Sequence, residues 1–184
     1  MKWGPFAAAL FWGVTACGVS AGPAEFRSHS HNDYLQPEPL ALALANRMGS
    51  VEVDVWWVDG ELRVGHERNE TVPGRTLRTL YLEPLQRHIA ATGGVVYPGG
   101  GPALVLLVDL KTEAGPTYAA VERELRAYQA MLTSSHDGRT IPGAVTVLIS
   151  GNVPKAAMAA QRDRPAFVDG RPGDLEGGPS AEVV

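Results

Sequence analysis

Cysteine is almost absent from this sequence. Cys17 stands alone among 184 residues, so no disulfide within the chain can hold the fold. Lysine is scarce as well: Lys2, Lys111 and Lys155 stand beside thirteen arginines, a bias that carries no functional reading by itself. Positive charge is not in excess, since 16 basic residues face 20 acidic ones for a net charge of −4. That balance offers no broad electrostatic footprint for nucleic acid or an anionic membrane. Any phosphate chemistry must then be local and metal-assisted. Internal repeats and long low-complexity tracts are missing too.

What is present is a globular composition, 45% hydrophobic and 20% charged, long enough for one domain with a real core. The N-terminus reads as an export signal: Met1-Lys2, an apolar run from Trp3 to Val19, and Val19-Ser20-Ala21 as a small-residue cleavage site. The run is too short and too poorly flanked for a stable membrane span, so no transmembrane helix is expected in the mature chain. Val14-Thr15-Ala16-Cys17 also fits a lipobox, with cleavage before Cys17 and a lipid anchor on its thiol. The signal is thus residues 1–21, or 1–16 for a lipoprotein. The expected location is outside the cytoplasm: secreted, periplasmic or lipid-anchored at a membrane surface.

Beyond the signal, strand-like apolar runs alternate with helix-like ones. The strand-like runs are Glu25 to Ser28, Val51 to Val58, Ala103 to Leu110, Ala144 to Ser150 and Ala166 to Val168. Between them, Leu40, Leu44 and Met48 share one helical face, as do Tyr118, Val121, Leu125, Tyr128 and Leu132. Strands separated by amphipathic helices predict an α/β fold with a parallel sheet. The almost wholly apolar "VLLVDL" predicts a strand covered on both faces. "VDGELRVGHE" carries an Asp-Gly turn between two short extended runs and predicts a hairpin. "TLYLEPLQRHIA" predicts a helix with Pro84 near its start, and "GGVVYPGGGP" a flexible connector.

The chemistry-bearing residues follow the predicted strands. His29, His31, Asn32 and Asp33 come after the first, Glu52 and Asp54 lie in the second, and Asp109 and Lys111 come after the third. Ser150, Gly151 and Asn152 follow the fourth and Asp169 the fifth. In a β/α barrel the carboxyl ends of the strands carry the active site, which would bring these residues to one face. Glu52 and Asp54 share parity, so they project from the same side of their strand. Two buried carboxylates are costly without a partner, and a hard divalent cation is the usual one. The bland reading of Glu-x-Asp is a polar strand surface, against which stands the apolar run of Val51, Val53, Val55 and Trp56. His66, twelve residues past Asp54, would complete a general acid/base couple with His31, because imidazole titrates near working pH. Asp109 and Lys111 also share parity, as an acid for the metal and a cation for a phosphoryl oxygen, or simply as a salt-bridged strand end. His88 and His136 read as solvated positions.

"HSHNDY", "SVEVDVWWVDGELRVGHE" and "LLVDLKTE" together resemble the phospholipase C-like phosphodiesterase superfamily, which includes glycerophosphodiester phosphodiesterases and sphingomyelinase D enzymes. Within it the chain looks like the branch related to altered-inheritance-of-mitochondria protein 6. The resemblance implies a TIM-type (β/α) barrel that hydrolyses phosphodiesters with one Mg²⁺ or Ca²⁺ and two catalytic histidines. Carried over by position, the histidines are His31, with His29 as the less favoured neighbour, and His66. The metal acids are Glu52, Asp54 and Asp109, with Lys111 beside the phosphate. Asn32, Asn152 and Asp169 stand as substrate-binding candidates at the strand ends. The implied substrate is a small phosphodiester or a phospholipid, and the attacking group in this superfamily is often a hydroxyl of the substrate itself. "HSHND" replaces the His-Arg-Gly element of glycerophosphodiesterases, so their substrate preference does not carry over.

Two other readings compete. His29-Ser30-His31 is also how amidohydrolase-like enzymes hold zinc, although Glu52-x-Asp54 and Asp109-x-Lys111 have no place in that pattern. A non-catalytic binding protein on a barrel scaffold is the third. A closed barrel typically takes about 250 residues, so residues 22–170 are expected to form its N-terminal part, about five of eight strands. Residues 171–184 would be a Gly/Pro-rich tail at a truncation.

Overall fold

The computed structural model describes residues 25–99 and 101–175. The expected signal segment, the lipobox around Cys17 and residues 176–184 of the tail lie outside the described residues. In chain order the main elements are β1 (Glu25–Ser30), α1 (Ala41–Ala45), β2 (Met48–Val58), β3 (Glu61–Val64), α2 (Glu83–Ala91), β4 (Leu104–Leu110) and α3 (Ala114–Ala127). They continue with β5 (Ser134–His136), β6 (Arg139–Ile141), β7 (Val145–Gly151), α4 (Lys155–Ala159), β8 (Asp163–Arg164) and β9 (Phe167–Val168).

The predicted parallel sheet is present, in the order β1-β2-β4-β7-β9. Each of these strands lies beside the next in sequence, as in a β/α barrel, and among the described residues β1 and β9 are the open edges. The barrel does not close here. Register aligns the carboxyl ends: Asp54 pairs with Asp109, and Asp109 with Ser150. All five predicted strands are found.

The two faces of the sheet differ. Val51, Val53, Val55, Leu106, Val108, Val147 and Ile149 have no exposure and join a core with Leu85, Ile89, Tyr118, Val121 and Leu125 from the helices. On the opposite face Val105, Leu107, Thr146 and Leu148 are only half-buried. "VLLVDL" is therefore covered on one face and partly open on the other, a correction to the expectation of full cover on both.

Local chemistry explains most element ends. The β2–β3 hairpin turns at Asp59-Gly60, both at positive φ (51° and 81°), the conformation a type I′ turn requires. Pro84 sits in the first turn of α2, directly after a π-helical turn over Arg78–Leu82. The helix expected through Met48 stops at Ala45, because Arg47 adopts a left-handed φ of 54° and swings the chain into β2. Leu132 likewise falls past α3, in a bridge to Val145. The sequence reading missed a second Asp-Gly hairpin, β5–β6, turning at Asp137-Gly138. His88 is not a free surface residue: its Nε2 lies 2.8 Å from the Val96 carbonyl and ties α2 to the connector.

At the amino end of the sheet the backbone of Gly143 is packed against Leu132 and Thr133; a Cβ there would lie 2.5 Å from the Leu132 carbonyl oxygen. Gly143→Ala should therefore lower stability by about 1–3 kcal/mol, the usual cost of overpacking, as read from the urea midpoint. An unchanged midpoint would mean that this contact is not held in solution.

Candidate active site

Three carboxylates meet at the carboxyl end of the sheet. Glu52, Asp54 and Asp109 each offer an oxygen, and these oxygens all lie within 4.8 Å of one another. Parity on β2 and the β2–β4 register cause this directly. Glu52 and Asp54 point to one side of their strand, and the pairing of Asp54 with Asp109 sets the third acid beside them.

Asp54 is fully buried, and its two oxygens have different partners. Oδ2 accepts the Tyr34 hydroxyl at 2.7 Å and faces His66 Nδ1 at 3.1 Å. Oδ1 accepts no hydrogen bond of ordinary geometry, and its ion-pair partner is Lys111 Nζ at 3.1 Å. Lys111 Nζ also lies 3.2 Å from Asp109 Oδ1. Burial alone would lower the Lys111 pKa, but hydrogen bonds and charge from Asp54 and Asp109 outweigh it and hold the ammonium above its ordinary value. The Tyr34 phenol is likewise raised, first by burial and then by its bond to Asp54, so it stays a donor.

Glu52 follows the same pattern. Its Oε2 accepts the Asn32 backbone N–H at 2.8 Å, with His31 Nε2 at 3.4 Å. Asn32 presents that N–H from a left-handed conformation (φ 48°, ψ 45°), one that asparagine tolerates better than most residues. His31 and His66 are exposed, at 70% and 53% of their side chains, over carboxylates that are not.

His66 arrives by way of the hairpin. Pairing of Val55 with Val64 returns the chain over Asp54, and the Trp56 indole donates to the Gly65 carbonyl at 2.9 Å to fix the next step. With Nδ1–H donated to Asp54, Nε2 carries the ring's lone pair.

The remaining candidates divide. His29 Nδ1 pairs with Ser50 Oγ at 2.8 Å, and its ring centre stands 6.2 Å from that of His31; it has no contact with the acids. The Asn152 amide donates to the Thr112 carbonyl at 3.0 Å, which ties two strand-end loops together. Asp169 Oδ2 accepts Ser150 Oγ at 3.0 Å, two strands away from Asp109. Sequence reasoning missed Tyr34, although it ends "HSHNDY", and it placed Gly151 after the fourth strand without giving it a role. A Cβ on Gly151 would overlap the Asp109 carboxylate and lie 2.6 Å from the Leu110 carbonyl oxygen, and its φ is +69°.

Three acids against one lysine leave the cluster with excess negative charge, and the fully buried Asp54 Oδ1 keeps only its ion pair with that lysine. The donor set is all oxygen, as hard divalent cations prefer. The residues therefore fit a metal ion, which Glu52, Asp54 and Asp109 could hold.

A family model described as the AIM6-like phosphodiesterase domain matches residues 19–169. The chain belongs to this family. Among curated relatives, altered inheritance of mitochondria protein 6 homolog of Arthroderma benhamiae is 31% identical over 86% of this chain and 57% of its own length. Altered inheritance of mitochondria protein 6 of Eremothecium gossypii is 33% identical over 72% of this chain and 38% of its own length. The chain thus spans between about two-fifths and three-fifths of these relatives. No solved structure matches. Among the described residues, no helix is long and apolar enough to cross a membrane.

Membership makes this a phosphodiesterase-family domain, and the Gly151 cradle of the carboxylate cluster is open to a direct test. Gly151→Ala should push Asp109 out of place and weaken Mn²⁺ binding by about 10-fold or more, the lower end of what disturbing a supporting group costs. Spin-resonance titration of Mn²⁺ reads this, and wild-type affinity in the variant would show that Asp109 is not a holder.

Proposed function

We propose that this chain carries the catalytic end of a metal-dependent phosphoric diester hydrolase in which His31 and His66 transfer the protons. The observation that carries the reading is the meeting of two exposed histidines with three carboxylates and Lys111 at one end of a parallel sheet, in a chain of the AIM6-like phosphodiesterase family.

A divalent ion held by Glu52, Asp54 and Asp109, Mg²⁺ or Ca²⁺, would supply Lewis-acid polarisation of a non-bridging phosphate oxygen. Lys111 would offset charge on a second phosphoryl oxygen. His66, oriented by Asp54 through Nδ1, presents Nε2 as the site of proton transfer. One histidine accepts the proton of the attacking hydroxyl as the O–P bond forms. The other gives a proton to the leaving oxygen as the second O–P bond breaks. Asn32, Asn152 and Asp169 stand at the rim as substrate contacts. The substrate class is a small phosphodiester or phospholipid, for which a net charge of −4 argues better than for nucleic acid.

The same reading takes the sheet as five successive strands of a TIM-type barrel, supported by their sequential order and by the half-covered face of Val105, Leu107 and Leu148. Export and a lipid anchor at Cys17 rest on the leader sequence. The zinc alternative has less support, because His29 is bonded to Ser50 and stands apart from the acids.

The test is hydrolysis of a panel of phosphodiesters with and without EDTA. Activity should vanish with chelator and return with Mg²⁺ or Ca²⁺. His31→Ala and His66→Ala should each lower kcat by about 10² to 10⁴-fold, the usual contribution of positioned proton transfer, with KM little changed. Chelator-resistant activity would remove the metal, and full turnover in either variant would remove that histidine.

A further inference from the structure

We propose that Tyr34 restricts Asp54 to a single oxygen for the cation, and thereby makes the site prefer Mg²⁺ over Ca²⁺. The inference rests on the metal-dependent reading above and adds a positioning residue and a selectivity to it. Asp54 Oδ2 accepts the Tyr34 hydroxyl at 2.7 Å and has His66 Nδ1 at 3.1 Å, so its usual acceptor directions are taken. Oδ1 remains, buried and held only by its ion pair with Lys111 Nζ at 3.1 Å. Glu52 is split in the same way, with Oε2 committed to the Asn32 N–H at 2.8 Å and Oε1 left over. The pair thus offers two oxygens where unrestrained carboxylates would offer four. Ca²⁺ takes six to eight oxygens and uses bidentate carboxylates readily, whereas Mg²⁺ demands octahedral geometry with few carboxylate oxygens and keeps its waters.

The phenol is held so that it cannot turn aside. Tyr34 is 3% exposed, and Arg75 Nη2 donates to its carbonyl at 2.5 Å. The preceding Asp33 is anchored by Ser30 Oγ at 2.7 Å, the Leu40 N–H at 2.6 Å and the Tyr81 hydroxyl at 3.0 Å. Asn32 Oδ1 is a second acceptor for the same hydroxyl at 3.1 Å, longer than the 2.7 Å bond to Asp54. A hydroxyl fixed this firmly keeps the Asp54 carboxylate from rotating to present both oxygens to one ion.

The experiment uses the 184-residue chain, with Mn²⁺ occupancy followed by spin resonance and Mg²⁺ and Ca²⁺ as competitors. Wild type should bind Mg²⁺ more tightly than Ca²⁺. Tyr34→Phe removes the hydroxyl alone and should weaken Mn²⁺ and Mg²⁺ by about 10 to 100-fold, as expected for a supporting partner of a ligand. Ca²⁺ should lose less, so that the Mg²⁺/Ca²⁺ ratio falls. Tyr97→Phe is the control: it loses a buried phenol bond to the Met48 carbonyl, 2.7 Å, at the other end of β2. It should lower the unfolding temperature and leave the ratio unchanged. An unchanged ratio in Tyr34→Phe, or equal shifts in the two variants, overturns the role of Tyr34 while leaving a wild-type, EDTA-sensitive activity intact. If Tyr34→Phe does not fold, wild type still decides, because Ca²⁺ bound as tightly as Mg²⁺ overturns the selectivity. No cation binding in wild type would sink this inference and the metal-dependent reading together.

Discussion

A carboxylate with no exposure to water has to find its compensation inside the protein, and Asp54 imposes that demand on everything around it. Removing a charge from water costs several kcal/mol even after relaxation, so the surrounding elements must arrive with donors. Tyr34 comes from the loop after β1, His66 from the β2–β3 hairpin and Lys111 from the end of β4. Three separate segments are thus committed to one side chain, and the position of each follows from strand pairing. The hairpin pairs Val55 with Val64, and the parallel ladder pairs Val55 with Leu110 next to Lys111.

The compensation is incomplete in a way that suits chemistry better than stability. One buried Asp54 oxygen keeps only an ion pair shared with Asp109, and three acids face a single lysine. Compare Asp33, equally buried, whose oxygens accept three hydrogen bonds from Ser30, Leu40 and Tyr81. Two neighbouring acids, twenty-one positions apart in sequence, therefore play opposite parts. Asp33 is a saturated anchor that fixes the loop, and Asp54 is left with capacity for a partner from outside.

The sheet carries the same asymmetry. Its helix-side face is a continuous apolar core, while the opposite face is half-open along Val105, Leu107 and Leu148 and gathers its acids at the carboxyl end. Apolar strands supply rigidity below, and the acids stand in register above them. A site on strands of this kind is held more tightly than one built on loops. The histidines are the exception, lying just past strand ends where they reach solvent.

Much of this was legible in the sequence, because it depends on short-range rules. The parity of Glu52 and Asp54 follows from a period of two, and the Asp59-Gly60 turn from the residue types that accept positive φ. The apolar runs give the five strands, and Cys17 alone excludes a disulfide framework. What escaped depends on contacts between distant segments. Leu40, Leu44 and Met48 keep helical spacing, yet pairing in β2 captures Met48, since ladder bonds and burial outweigh a weak local preference. Tyr34 looked like one more aromatic until β2 brought Asp54 to its hydroxyl. His29 and His31 are equivalent in a string of letters; only the fold turns one toward Glu52 and the other toward Ser50. Sequence thus determined which residues share a face of one element, because backbone geometry repeats locally. Only the tertiary structure decided which faces meet, because a long-range contact is selected by the burial and pairing of the whole chain and not by the residues that make it.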